Sequence, residues 1–235
     1  MSLIFIDLET VPAQPEEECK AAIAETISHP SKMSKAETIA DWHSGAGKYA
    51  GAKDAAIDDK YRKTSFDGGQ GEIISIAWAS EDNEIKSKSR HLDDSEGDFL
   101  KSVLDEINAD SHNEVAGTKY PNKPFFVGHY ISGFDLKFLF HRCVVLGVKP
   151  PFEIPFDGRH GKDYFDTMIA WAGFRDSISQ DNLCKALKIE GKPSDISGAQ
   201  VWDFIKAGKY EEVEAYNRDD VKKVRLIYNR LNFKG

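Results

Sequence analysis

Cysteine is scarce in this chain. Cys19, Cys143 and Cys184 are the only three in 235 residues, far apart and odd in number. That excludes a disulfide framework and a CxxC zinc site, and makes a reducing, cytoplasmic compartment the expectation. No stretch approaches the roughly 18 uninterrupted apolar residues of a membrane span, so no membrane partner is expected. The first residues carry no basic region and place an acid at position 7, unlike a secretory signal. Positive charge is in deficit: 31 Lys and Arg stand against 39 Asp and Glu, a net charge of −8. That balance weighs against a broad basic face that coats duplex nucleic acid, and leaves room for acids gathered around bound cations. Several familiar site patterns are also missing. No GxSxG occurs. "GGQG", Gly68–Gly71, precedes a strand instead of following one, so it is no dinucleotide loop. "GAGKYA" lacks the Ser or Thr that follows a P-loop lysine. His91, His112, His141 and His160 have no partner at ligand spacing and read as surface or satisfied histidines.

What is present is an ordinary globular composition, 40% hydrophobic and 30% charged, long enough for one large domain. Leu3–Leu8 is apolar on both faces and reads as a central strand. Residues 11–71 are rich in Ala, Lys, Glu, Asp and Gly. They read as an insertion of short helices and loops, with helices near Glu16–Ser28 and Ser34–Trp42. Glu72–Ser80 is a second strand, pairing as a hairpin with Ile85–Leu92. Phe99, Val103, Leu104 and Ile107 recur at helical spacing behind a Ser95 cap. Pro124–Gly128 is a strand, Ile131–Leu146 a helix, and Tyr164–Asp166 a last strand. Four helical segments follow: Thr167–Trp171, Ser179–Leu187, Gln200–Ile205 and Tyr210–Leu231. The expected architecture is a single α/β domain over 1–235, with a mixed central sheet of about five strands flanked by helices.

Acids interrupt this apolar pattern in three places. Side chains alternate across a strand, so Asp7 and Glu9 project from one face, about 6.6 Å apart, at the carboxyl end of the first strand, where open α/β sheets place their sites. On the last helix, Val213, Tyr216, Asp220, Val224, Ile227 and Leu231 form one stripe whose middle position is an acid with a phenol one turn before it. Asp219 falls off that stripe and reads as solvated. Asp135, in "GHYISGFDLKFL", opens an apolar helix. Any one of these acids has a plain reading as a cap or an ion-pair partner. Four interior carboxylates together need compensating charge, because one left unpaired costs several kcal/mol. Lys137 and Arg218 are the only cations within the same motifs. Two divalent cations would supply the missing charge, and an all-oxygen ligand set suits Mg²⁺ or Mn²⁺ better than zinc.

"FIDLET", "GHYISGFDLKFL" and "YNRDDV" resemble, in order and spacing, the three motifs of the DnaQ-like 3′–5′ exonucleases. The tyrosine of Tyr216-x-x-x-Asp220 resembles the branch written DEDDy. "TSFDGGQGEIISIAWAS" and "DISGAQVWDFIKAGKYEEVEAYNRDDV" are similar to the subgroup related to the proofreading domain of family-B DNA polymerases. The resemblance is weakest over Val11–Arg62. It implies an RNase H-like fold, with Asp7, Glu9, Asp135 and Asp220 as ligands of two divalent cations and Tyr216 positioning the attacking water. Thr10 and Phe134 are candidates to touch the last nucleotides, with Phe134 equally readable as plain core packing, and His129 stands where the second motif usually has Asn, a position near the substrate. The expected reaction is hydrolysis of the terminal phosphodiester of single-stranded or frayed nucleic acid, DNA favoured over RNA, releasing nucleoside 5′-monophosphates. A DNA polymerase or replication complex is the implied protein partner. Trp42–Lys63, where Lys and aromatics interleave, reads either as a backbone-contact strip or as a solvated insertion. Asp166 reads as an outer acid of the site or as the cap of the helix that follows. Two rivals are a non-catalytic module that binds 3′ ends or a polymerase, and an aspartyl-phosphate phosphatase. The second wants Asp where Glu9 stands and leaves Tyr216 unexplained.

Overall fold

A computed structural model describes residues 2–115, 118–120, 122–190 and 196–234. The chain divides into two compact units, one holding residues 1–10 and 73–235, the other Val11–Glu72. Along the chain the strands and α-helices are β1 (Ser2–Val11), α1 (Glu16–Thr26), α2 (Ala36–Ser44), α3 (Ala52–Arg62), β2 (Glu72–Ser80), β3 (Lys86–Ser89) and α4 (Glu96–Asp110). Then come β4 (Asn113–Val115), β5 (Thr118–Tyr120), β6 (Pro124–Gly128), α5 (Asp135–Leu146) and β7 (Tyr164–Asp166). The chain finishes with α6 (Thr167–Ala172), α7 (Gln180–Leu187), α8 (Val201–Lys206) and α9 (Tyr210–Leu231).

In the larger unit, five strands form one sheet in the order β3-β2-β1-β6-β7. β6 runs parallel to β1 and to β7, while β3 is antiparallel to β2, so the sheet is mixed as expected. Alternation along β1 decides what each face meets. Ile4, Ile6 and Leu8 join Leu100, Val103, Leu104 and Ile107 of α4 and Leu136 and Leu139 of α5 in the main core. Phe5, on the other face, joins Ala77, Val127 and Val221, Val224 and Tyr228 of α9. Leu183 and Cys184 of α7 pack with Ile227, so α9 is covered on two sides. Among the described residues, no helix is long and apolar enough to cross a membrane.

Local chemistry fixes the ends of these elements. Ser95 accepts from the Asp98 N–H and starts α4, and Ser179 accepts from the Asn182 N–H and starts α7. Asp166 caps α6 by accepting from the N–H groups of Met168 and Ile169. The strand expected over Ile85–Leu92 is shorter, Lys86–Ser89, several helix ends move by one or two residues, and two further differences bear on the site. β1 continues to Val11, so Asp7 and Glu9 lie within the strand and not at its last residues. α5 starts at Asp135, because residues 131–134 form a turn that begins at Tyr130 with φ 58°. The short strands β4 and β5, an antiparallel pair, were not expected.

In the smaller unit, α1 and α3 are tied by Lys20, whose ammonium lies 2.8 Å from Glu16 and 2.6 Å from Asp58. Trp42 and Tyr61 are buried, and Lys63, which follows α3, pairs with Asp59 of that helix. Trp42 and Tyr61 thus build this unit's interior, while Tyr49 is half-buried with the Lys48 ammonium 5.2 Å from its ring centre. α3 is a helix that the sequence pattern did not reveal, because AKDAAIDDKYR carries no apolar stripe.

Candidate active site

Asp7 and Glu9 share the β1 face that carries Phe5 and meets α9. Asp220 lies on α9, one residue before Val221, and reaches the same place. Carboxylate oxygens of Asp7, Glu9 and Asp220 all lie within 4.8 Å of one another. Glu9 and Asp220 are buried and Asp7 is half-buried. Asp135 enters from the opposite side, at the first residue of α5. Its Oδ1 accepts from the Leu8 N–H at 3.1 Å, and its side chain is buried beside the triad without joining its tight grouping.

These carboxylates repel one another. Burial pushes the Asp7 carboxyl well above the ordinary range, and Asp135, Asp220 and Glu9 push it further; a hydrogen bond from Asn217 pulls back. Burial also raises Glu9, with Asp220 and Asp135 adding to it. Asp135 is pushed up to about 7, mainly by burial and against the Leu8 N–H. Asp220 is raised by burial, and Lys223 and Tyr216 oppose that. Tyr216 is half-buried and hydrogen-bonded to Asp220. Burial, then Asp220, Glu9 and Asp7, hold its phenol far above the ordinary value, so it is a neutral hydroxyl here.

Four residues that sequence reasoning passed over, or placed elsewhere, support the acids. Asn217 is fully buried; its Nδ2 donates to Asp7 Oδ2 at 2.7 Å, and its Oδ1 accepts from Ser75 on β2 at 3.2 Å. Lys223 is buried, and its ammonium stands 2.9 Å from Asp220 Oδ1 and 3.1 Å from Asp219 Oδ2. Asp219 is thus paired and mostly enclosed, not solvated, because α7 and α9 cover this side of the helix. Gln180 donates to the Asp220 backbone carbonyl at 3.0 Å. The spacing Asp219, Asp220, Lys223 within "RDDVKK" was the legible signal for the lysine, since residues three and four apart on a helix are neighbours.

The substrate-side candidates are spread out. Thr10 is half-buried and follows Glu9 on the strand. Phe134 is half-buried against the main core, its ring 5.6 Å from that of Phe138. His129 is engaged at both nitrogens, Nδ1 with Thr167 Oγ1 and Nε2 with the Ile178 carbonyl, each at 2.9 Å. Burial lowers its pKa, so it is a neutral ring donating from Nε2 to that carbonyl. Asp166 is fully buried; its Oδ1 caps α6 and also accepts from the Tyr130 N–H at 3.0 Å. That bond holds Tyr130 in its left-handed conformation, half exposed, with its ring over Gly133, where a Cβ would come within 2.3 Å. His112 and His160 satisfy ring nitrogens on the backbone carbonyls of Asn108 and Asp166.

A mixed five-stranded sheet flanked by helices, with acids converging from β1, α5 and α9, defines an RNase H-like fold of the exonuclease type. The family described as "Predicted 3′-5′ exonuclease related to the exonuclease domain of PolB" matches residues 70–234, and the chain belongs to it. The match begins after β1, so Asp7 and Glu9 are joined to the site by the structure. Among solved structures, the chain is similar in fold to the family B DNA polymerase from the hyperthermophilic archaeon Pyrobaculum calidifontis. The TM-score is 0.54 at 12% identity, over 98% of this chain and 24% of that one. The chain thus spans about a quarter of the polymerase's length. No curated protein matches it.

Proposed function

We propose that this chain is a divalent-metal-dependent 3′–5′ exonuclease acting on single-stranded or frayed ends, DNA favoured over RNA. The observation that carries the proposal is the meeting of Asp7, Glu9 and Asp220 within 4.8 Å, with the neutral Tyr216 hydroxyl on Asp220. Such a donor set, all oxygen and mutually repelling, fits Mg²⁺ or Mn²⁺. Asp7, Glu9, Asp135 and Asp220 would hold the two ions. When bound, the cations would lower the pKa of water and offset the charge of the scissile phosphate.

The chain's own residues do the rest. Asn217 fixes the Asp7 carboxylate through its 2.7 Å bond, and the Leu8 N–H fixes that of Asp135. Tyr216 stays protonated and orients the attacking water; it is a poor base. The oxygen of that water bonds to phosphorus and releases a proton to solvent, the bond to the departing 3′ oxygen breaks, and that oxygen takes a proton from solvent. A nucleoside 5′-monophosphate leaves. Phe134 and Thr10 contact the last nucleotides, and base stacking of this kind is worth about 1–3 kcal/mol per base whatever the sequence. His129, with both ring nitrogens held by Thr167 and Ile178, bears on the substrate through those tethers. The family's relation to a polymerase exonuclease domain makes a DNA polymerase the protein partner to test.

One gel decides. Oligonucleotides labelled at either end, single-stranded and duplex, DNA and RNA, are incubated with Mg²⁺, Mn²⁺ or EDTA. Stepwise shortening from the 3′ end that stops in EDTA is expected. Binding of a 3′ tail without any shortening would instead mark a non-catalytic module.

A further inference from the structure

Lys223 stands apart from the other charged pairs. Its side chain is 8% exposed, yet it lies within 4 Å of three carboxylates, those of Asp220, Asp219 and Asp181. Asp181 is 3.8 Å away and largely in solvent, so its share is small. Asp219 and Asp220 are enclosed with the lysine. Support for a helix does not require this arrangement: Lys63, just past the end of α3, pairs with Asp59 of that helix in full view of solvent. Lysine is almost never buried unless paired, and here one partner is also a member of the Asp7–Glu9–Asp220 triad.

Resting on the metal-centre reading above, we infer that Lys223 is a positioning residue that holds the Asp220 carboxylate toward Asp7 and Glu9 and sets how tightly the cluster binds a divalent cation. Two consequences have opposite signs. The ammonium fixes one oxygen of Asp220, which favours turnover. Its charge also opposes any cation approaching the same carboxylate, which weakens binding. Asp219 shares the lysine and so moderates both effects.

The test titrates the full chain with Mn²⁺ by calorimetry and measures kcat on a 3′-labelled single strand at saturating Mn²⁺. Removing one positive charge a few ångströms from a divalent ion predicts Mn²⁺ binding roughly tenfold tighter in Lys223→Gln, with kcat at least roughly tenfold lower. Lys223→Arg keeps the charge and is expected within roughly threefold of wild type in Mn²⁺ affinity. Asp219→Asn leaves the lysine to Asp220 alone and is expected to bind Mn²⁺ more weakly. A folding defect would weaken binding in both Lys223→Gln and Asp219→Asn, so the opposite signs separate positioning from scaffolding. Unchanged or weaker binding in Lys223→Gln overturns the inference. Should that variant not fold, unchanged or tighter binding in Asp219→Asn overturns it alone. Wild-type protein that bound no Mn²⁺ would overturn the metal-centre reading beneath it.

Discussion

Two neighbouring side chains on α9 have separable roles. Tyr216 touches Asp220 and is held neutral, so it contributes orientation. Tyr216→Phe is expected to lose roughly 10²–10⁴-fold in kcat, the scale of a positioned proton-transfer group, while Mn²⁺ affinity stays near wild type. Asp7→Ala should lose more, because it removes a ligand; near-normal Mg²⁺-dependent turnover in that variant would refute the ligand assignment. Asn217 touches no substrate in this account. It locks Asp7 between β1 and β2 through Ser75. Asn217→Ala is therefore expected to weaken Mn²⁺ binding by roughly 10–100-fold, the usual cost of losing a residue that orients a ligand, as measured by calorimetry. The five residues of the acid-and-tyrosine motif were legible because charge inside an apolar pattern is conspicuous. Asn217 is neutral and falls beside the stripe, and its partner Ser75 is 142 residues away in sequence. Contacts at that separation leave no periodic trace.

Among elements, legibility followed periodicity. The spacing from Val213 to Leu231 gave α9 its full extent, Tyr210–Leu231. Pro124–Gly128 and Tyr164–Asp166 were readable from their apolar residues and the acid that ends the second. β4 and β5, three residues each, are too short for a period to register. One latch between elements was also invisible. Glu96, in the first turn of α4, accepts from Arg142 of α5 at 3.0 Å and from the Ile73 N–H of β2 at 2.8 Å. Both charged side chains are about 5% exposed. Arg142→Leu leaves Glu96 buried without its cation, and breaking such a pair costs about 3–5 kcal/mol. Urea denaturation is expected to show that loss; a change under about 1 kcal/mol would mean that Glu96 finds water or another partner.

The whole molecule bears an electrostatic cost for its site. Fully burying an aliphatic or aromatic side chain contributes about 1.5–3 kcal/mol, and β1 alone buries Ile4, Phe5, Ile6 and Leu8 around the acids. That apolar surroundings offset the repulsion among Asp7, Glu9, Asp135 and Asp220. The pH dependence follows. These carboxyls are raised in the fold above their ordinary values of 3.8 and 4.5, Asp135 to about 7. The folded state thus binds more protons than the unfolded chain above pH 5, and stability falls as pH rises through this range. In EDTA, Tm is expected to increase from pH 8 to pH 6. Adding Mn²⁺ at pH 8 should raise Tm and flatten the profile. His129, whose pKa burial lowers, gives the opposite slope near pH 6; a metal-free Tm that fell from pH 8 to pH 6 would mean that the raised acids do not dominate this range.

The proposed activity depends on acids far apart in sequence converging to hold divalent ions beside a phenol. Anomalous diffraction from crystals soaked in Mn²⁺ tests it most directly. The prediction is density at the manganese edge among the carboxylates of Asp7, Glu9, Asp135 and Asp220, next to the Tyr216 hydroxyl. Carboxylates turned apart, with no anomalous peak between them, would contradict it.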